Sequence, residues 1–108
     1  MLKYKQVMTF YHITTPEHWS KYAADSFYEA ESLHSEGFIH GSFAEQLDET
    51  LATYYKNVEK VLILTIEEVN LESELKVEKS RNGQFFPHIY GRLNKSAISY
   101  LEERELKN

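Results

Sequence analysis

The most apolar run of the chain, Val61-Leu62-Ile63-Leu64-Thr65-Ile66, leaves little freedom to the fold. A run of β-branched and leucine residues without polar alternation reads as a strand buried on both faces, so it needs neighbouring strands and a cover above and below. Glu67, Glu68 and Asn70 end it. At 108 residues the chain has enough apolar and aromatic material for one core around such a strand and too little for two, so residues 1–108 read as a single domain.

The other elements fall on either side of that strand. Val7 to Ile13 is β-branched and aromatic and predicts a strand with Phe10 and His12 on one face and Tyr11 and Ile13 on the other. Thr15-Pro16-Glu17 is a helix start, with threonine as cap and proline in the first turn, and Trp19, Tyr22 and Ala23 follow at helical spacing. His18 is then a solvent-side neighbour of Trp19. From Asp25 to Ser35 the periodicity is poor, which predicts a short extended piece at Phe27 to Glu29 and a turn holding Leu33. Phe38 to Gly41 is a short strand between Gly37 and Gly41, and Ser42 with Glu45 has the spacing of a capping box opening a helix from Phe43 to Lys56. Phe43, Leu47, Leu51, Tyr54 and Tyr55 form the apolar stripe of that helix. Beyond Ile66, a strand at Leu75 to Glu78, a turn at Asn82-Gly83, an extended Phe85 to Gly91, a single turn at Asn94 to Ser96 and a last strand at Ala97 to Glu103 complete the chain, with a frayed tail from Glu105. The order predicts an α+β domain with two main helices and a mixed or mainly antiparallel sheet, because too few helices remain to cross over between parallel strands.

Three histidines sit in strand contexts: Tyr11-His12-Ile13, Ile39-His40-Gly41 and Pro87-His88-Ile89. Each alone is more often a satisfied core or rim side chain. Three in similar settings, gathered at one end of a sheet, could act as general acid and base, ligate a metal, or hydrogen-bond a ligand's ribose and phosphates. Three imidazoles and a water make a zinc site, so a three-histidine metal-dependent hydrolase is one alternative, although no tight helical metal motif is present. Phe85, Phe86, Tyr90, Tyr54 and Tyr55 are read as core, His34 as exposed, and Ser42 as a cap and not a nucleophile.

Charge and composition narrow the partners. The formal net charge of −5, without a lysine-rich or arginine-rich block, makes nucleic acid an unlikely partner. The absence of cysteine removes disulfides and thiolate chemistry. The opening Met1-Leu2-Lys3-Tyr4-Lys5 leads into no apolar run of signal or membrane-spanning length, so the expectation is a soluble, cytoplasmic protein without a membrane partner.

Phe10-Tyr11-His12-Ile13-Thr14-Thr15, then Glu31-Ser32-Leu33 with Glu36-Gly37-Phe38-Ile39-His40-Gly41-Ser42, then Phe86-Pro87-His88-Ile89-Tyr90-Gly91 resemble three ordered signatures of a small bacterial family, the domain of unknown function 952. The resemblance spans almost the whole chain. The first two signatures in turn resemble those of the ADP-ribosyltransferase superfamily, in particular the NAD-dependent RNA 2′-phosphotransferases. That resemblance implies an ADP-ribosyltransferase-like fold and NAD as cofactor. His12 and Thr14 would hold the ribose and adenylate side of NAD, His40 and Ser42 would lie near the nicotinamide ribose or phosphate, and Phe86 to Tyr90 would close the site. For a transferase it implies His40, His12 and His88 as the catalytic histidines. Three positions depart from the pattern. Gln84 stands near the place of a catalytic glutamate and cannot act as a base. Arg81, Arg92 and Arg104 are few for a phosphotransferase, and Arg92 stands where the family more often has proline, which argues against RNA 2′-phosphate transfer. Gly41 stands where the family often has cysteine. The readings are therefore an NAD-utilising transferase, a non-catalytic nucleotide-binding or protein-interaction module, and the metal hydrolase.

Overall fold

The computed structural model describes residues 7–106. Met1 to Lys5 and the last two residues, named above, lie outside them. The apolar run is the centre of the molecule: β4, Lys60–Glu67, pairs antiparallel with β1, Thr9–Thr14, on one side and with β8, Ile98–Glu105, on the other. A second three-stranded antiparallel sheet has β6, Phe85–Tyr90, between β3, Ile39–His40, and β5, Glu74–Lys79. The short strands β2, Phe27–Tyr28, and β7, Leu93–Asn94, form a separate pair. All these pairings are antiparallel, within the mixed or mainly antiparallel expectation.

β4 is buried on both faces because its alternate side chains enter two cores. Leu64 and Ile66 join Phe10, Tyr28, Ile39, Ile89 and Leu93 between the sheets. Val61 and Ile63 join Ile13 and Leu51 on the opposite face, under the helix α3, Leu47–Tyr54. Each fully buried aliphatic side chain of this kind stabilises the fold by roughly 1.5–3 kcal/mol relative to exposure. Phe10 and His12 share the inner face of β1, as alternation requires, while Tyr11 and Ile13 turn toward α3.

The helices differ from the expected two. Three short ones are present among the described residues: α1, Pro16–Ser20, α2, Glu31–Glu36, and α3. α2 replaces the turn expected around Leu33; it packs only a narrow apolar surface and stops at Gly37, whose φ of 94° suits a residue without a side chain. The helix expected from Phe43 to Lys56 is a 3₁₀ turn at Ala44–Gln46 followed by α3. Ser42 is not its cap, because the chain at Ser42 is still extended and bonded to β1. The side-chain carbonyl of Gln46 instead accepts from the Phe43 N–H at 2.8 Å. β8 continues through Glu105 where fraying was expected, since its backbone is held by β4 to the register Lys60 against Glu105.

The two large sheets meet at residues 40–42. Gly41 N–H donates to the Pro87 carbonyl at 2.9 Å, and one residue later Ser42 exchanges backbone hydrogen bonds with Tyr11 at 2.7 and 2.8 Å. A single extended segment thus pairs with β6 at its start and β1 at its end. Gly41 is required at this crossing: a Cβ there would stand 2.8 Å from the Pro87 carbonyl oxygen and 3.1 Å from the Phe10 ring.

Candidate functional site

A cleft of about 450 Å³ opens at the carboxyl end of β1. Its floor is His12 and Thr14 of β1 with His40 and Ser42 at the crossing of the sheets; α1 contributes Glu17 and His18, with Lys21 just beyond it, and α2 contributes Glu31 and Ser32. Thr50 of α3 and Tyr55 close the far wall. Local sequence sets these positions. Thr15 caps α1 by accepting the His18 N–H at 3.2 Å, so the helix starts directly after the strand and turns Glu17 and Lys21 onto the cleft.

His12 is the most constrained group of the floor. A carbonyl only accepts, so the 2.6 Å contact with the His40 carbonyl places the proton on Nδ1; Nε2 then accepts from the Tyr28 hydroxyl at 2.8 Å. Burial withholds water from the charged ring and lowers its pKa from 6.5 to about 4, the bond to the His40 carbonyl opposing part of the shift. His12 is therefore neutral at pH 7. Burial likewise pushes the Tyr28 hydroxyl above its ordinary value, which keeps it a proton donor to the imidazole. Thr14 and Ser42, each 5% exposed, present hydroxyls beside it, and the Ser42 Oγ lies 3.5 Å from that of Thr50. His18 donates through Nε2 to the Glu29 carbonyl at 2.7 Å and packs edge-on to Tyr28.

The expected gathering of three histidines is not formed. His12 touches the backbone of His40, not its ring. The His40 ring, half exposed, lies 3.2 Å from the Glu36 carboxylate. His88 stands opposite His40 in the β3–β6 register and occupies the outer face of that sheet, stacked on Phe38 at 4.1 Å and edge-on to His40 at 5.4 Å. Its Nδ1 donates to Glu78 at 2.8 Å, and the Tyr90 hydroxyl donates to the same carboxylate. Those two bonds hold Glu78 below the ordinary carboxylate range, that of Tyr90 contributing more. The physical reason is alternation: Pro87 and Ile89 take the inner face of β6, so Phe86, His88 and Tyr90 are turned outward. Phe86 and Tyr90 therefore do not close the cleft. Among the described residues no three His, Asp or Glu side chains are placed to hold a metal, so the three-histidine metal centre has no geometry to support it. Gln84 does not line the cleft; its amide donates to Glu49 at 3.1 Å, and its side-chain oxygen faces Gln46.

Of the expected site residues, His12, Thr14, His40 and Ser42 line one cleft; His88 and Tyr90 pack on Phe38 in an outer cluster that the His40 ring joins, and Phe86 lies on that outer face opposite Glu78. Glu17, Lys21, Glu31, Ser32, Thr50 and Tyr55 were not foreseen as lining residues. The start signal of α1 was the one clue, since a helix beginning at Pro16 puts Glu17 and Lys21 a turn apart on one face. Among the described residues no helix is long and apolar enough to cross a membrane.

The fold and cleft define a small α+β domain of antiparallel sheets with a recess at the end of β1. Residues 13–101 match the model of the family described as "Protein of unknown function (DUF952)", and the chain belongs to that family. It is similar to protein CC0527 from Caulobacter crescentus. The crystal structure of that protein is 32% identical, with a TM-score of 0.79 over 93% of this chain and 87% of that one. Its solution NMR structure is 31% identical, with a TM-score of 0.78 over 92% and 86%. No curated protein matches the sequence.

Proposed function

We propose that the cleft at the end of β1 binds a nucleotide, with NAD as the leading ligand. The observation that carries this reading is the floor: the buried hydroxyls of Thr14 and Ser42, beside a neutral imidazole that the His40 carbonyl and the Tyr28 hydroxyl lock in one tautomer. Such fixed, uncharged hydrogen-bonding groups in a concave recess suit the hydroxyls and amide of a nucleotide. The resemblance of the first two signatures to ADP-ribosyltransferases points to the same residues. In a transferase, positioned polar groups of the floor would stabilise the oxocarbenium that develops on the ribose. Both ring nitrogens of His12 are bonded within the protein, so it braces the floor and does not itself bond the ligand; among the lining imidazoles, we assign proton transfer to the half-exposed ring of His40.

A second reading, ligand binding without turnover, is favoured by one observation. Gln84 stands near the place where the resemblance would put a catalytic glutamate, and its amide donates to Glu49. One titration separates the readings. NAD is added to labelled protein while amide and imidazole shifts are followed, and nicotinamide release is assayed in parallel for wild type and His40→Ala. Shifts converging on His12, Thr14 and Ser42 with release lost in the variant support the transferase; the same shifts without release support the binding module. Millimolar NAD that moves no resonance refutes both.

A further inference from the structure

The charges around the cleft are unlike those a diphosphate needs. Among the described residues that line it, Glu17 and Glu31 are carboxylates and Lys21 is the one permanent cation. The arginines are elsewhere: Arg92 lies over the Phe27 ring at 3.7 Å, Arg104 is bonded to Glu102, and Arg81 is exposed beside the Asn82-Gly83 turn. Where side chains recognise a diphosphate they do so through forked guanidinium contacts and clustered cations, and two carboxylates at the same mouth oppose it. Carboxylates do suit vicinal ribose hydroxyls, which donate to them. Thr14 and Ser42, almost fully buried on the floor, offer further uncharged partners.

We infer that the cleft takes the nucleoside portion of its ligand and has no diphosphate subsite: Glu17 and Glu31 face ribose hydroxyls or a cationic base, Lys21 meets at most one phosphate, and further phosphates stay in solvent at the mouth. This inference rests on the nucleotide reading above. It predicts a ranking opposite to that of a phosphate-anchored site.

The test is calorimetric titration of the full chain at low salt with adenosine, AMP, ADP, nicotinamide riboside and NAD. The expected result is that a nucleoside binds at least as tightly as its phosphorylated forms, the second phosphate weakening binding by about two-fold to five-fold, as screened charge pairs at an exposed rim do. The Glu17→Gln and Glu31→Gln double variant, altered only at exposed positions, should bring ADP level with adenosine. ADP binding more tightly than adenosine, with the gain removed by Lys21→Ala, overturns the inference while leaving the nucleotide reading intact. So does NAD binding that neither nucleoside displaces. If none of the five ligands binds, the nucleotide reading itself fails and the inference falls with it.

Discussion

Lowering the pH from 7.5 to 4.5 should destabilise the domain through His12 before its carboxylates respond. In the unfolded chain His12 titrates near 6.5; in the fold burial holds it near 4. Above pH 6.5 the ring is neutral in both states and its contribution to stability is complete. As the pH falls through the window between the two values, only the unfolded state gains the proton. Stability then declines by about 1.4 kcal/mol per pH unit at the steepest, reaching a loss of about 3 kcal/mol once the pH is below 4. That is a large share of the roughly 5–15 kcal/mol that holds a typical domain together. Glu67 and Glu78, whose pKa values are lowered by the hydroxyls of Thr9 and Ser99 and by Tyr90 and His88, lose their stabilising effect only as the pH drops below the ordinary 4.5. The window from 6.5 to 4.5 therefore lies above those two carboxylates, and comparison with a His12 variant isolates the contribution of His12. Urea unfolding followed by the fluorescence of Trp19, which packs against the main core, measures the loss. His12→Gln is the matched control, since an amide can donate to the His40 carbonyl and accept from Tyr28 without titrating. The wild type should lose stability across the window more steeply than the variant. Parallel curves, or an imidazole titration that places His12 near 6.5, would refute the reasoning.

Two further outcomes test the frame of the cleft. Gly41→Ala drives a Cβ against the Pro87 carbonyl at the crossing of the sheets. It should cost about 1–3 kcal/mol, read as a lower midpoint in thermal circular dichroism, and an unchanged midpoint would show that β6 yields freely. Thr15→Ala removes the cap of α1 and should cost about 1 kcal/mol in urea unfolding, with amide shifts confined to α1 and the cleft mouth. Shifts spread evenly over both sheets would contradict that local role.

β4 was readable because six consecutive residues without polar alternation have few uses other than a strand covered on both faces, and both covers are present in the two cores. β1 was readable for the same kind of reason, and so was the placing of Phe10 and His12 on one face. α2 was not, since Glu31-Ser32-Leu33-His34-Ser35-Glu36 has one apolar side chain and no helical stripe; tertiary contact of Leu33 with the core decides its conformation. Ser42 misled because its spacing to Glu45 fits a cap, yet its backbone is committed to Tyr11. Residues of the cleft that lie near one another in sequence or on paired strands could be anticipated, as with His12 and Thr14 or His40 and Ser42. The outward turn of His88 could not, because it depends on which face of β6 the Pro87 and Ile89 pair occupies. That was fixed only when β6 found its partners. Glu17, Lys21 and Glu31 look in sequence like any solvated helix residues, and only the packing of three short helices around one strand end gives them a common recess.

The segment from His40 to Ser42 belongs to both sheets, and its His40 carbonyl also holds the proton of His12. The domain cannot hinge open along that seam without drawing the carbonyl away from the imidazole. Once that contact parts, water reaches the ring, its basicity returns, and a proton taken up there opposes reclosing. Mechanical opening and acid thus act on one latch. Amide hydrogen exchange at Ser42 and Gly41 should accordingly report the same opening that a falling pH promotes.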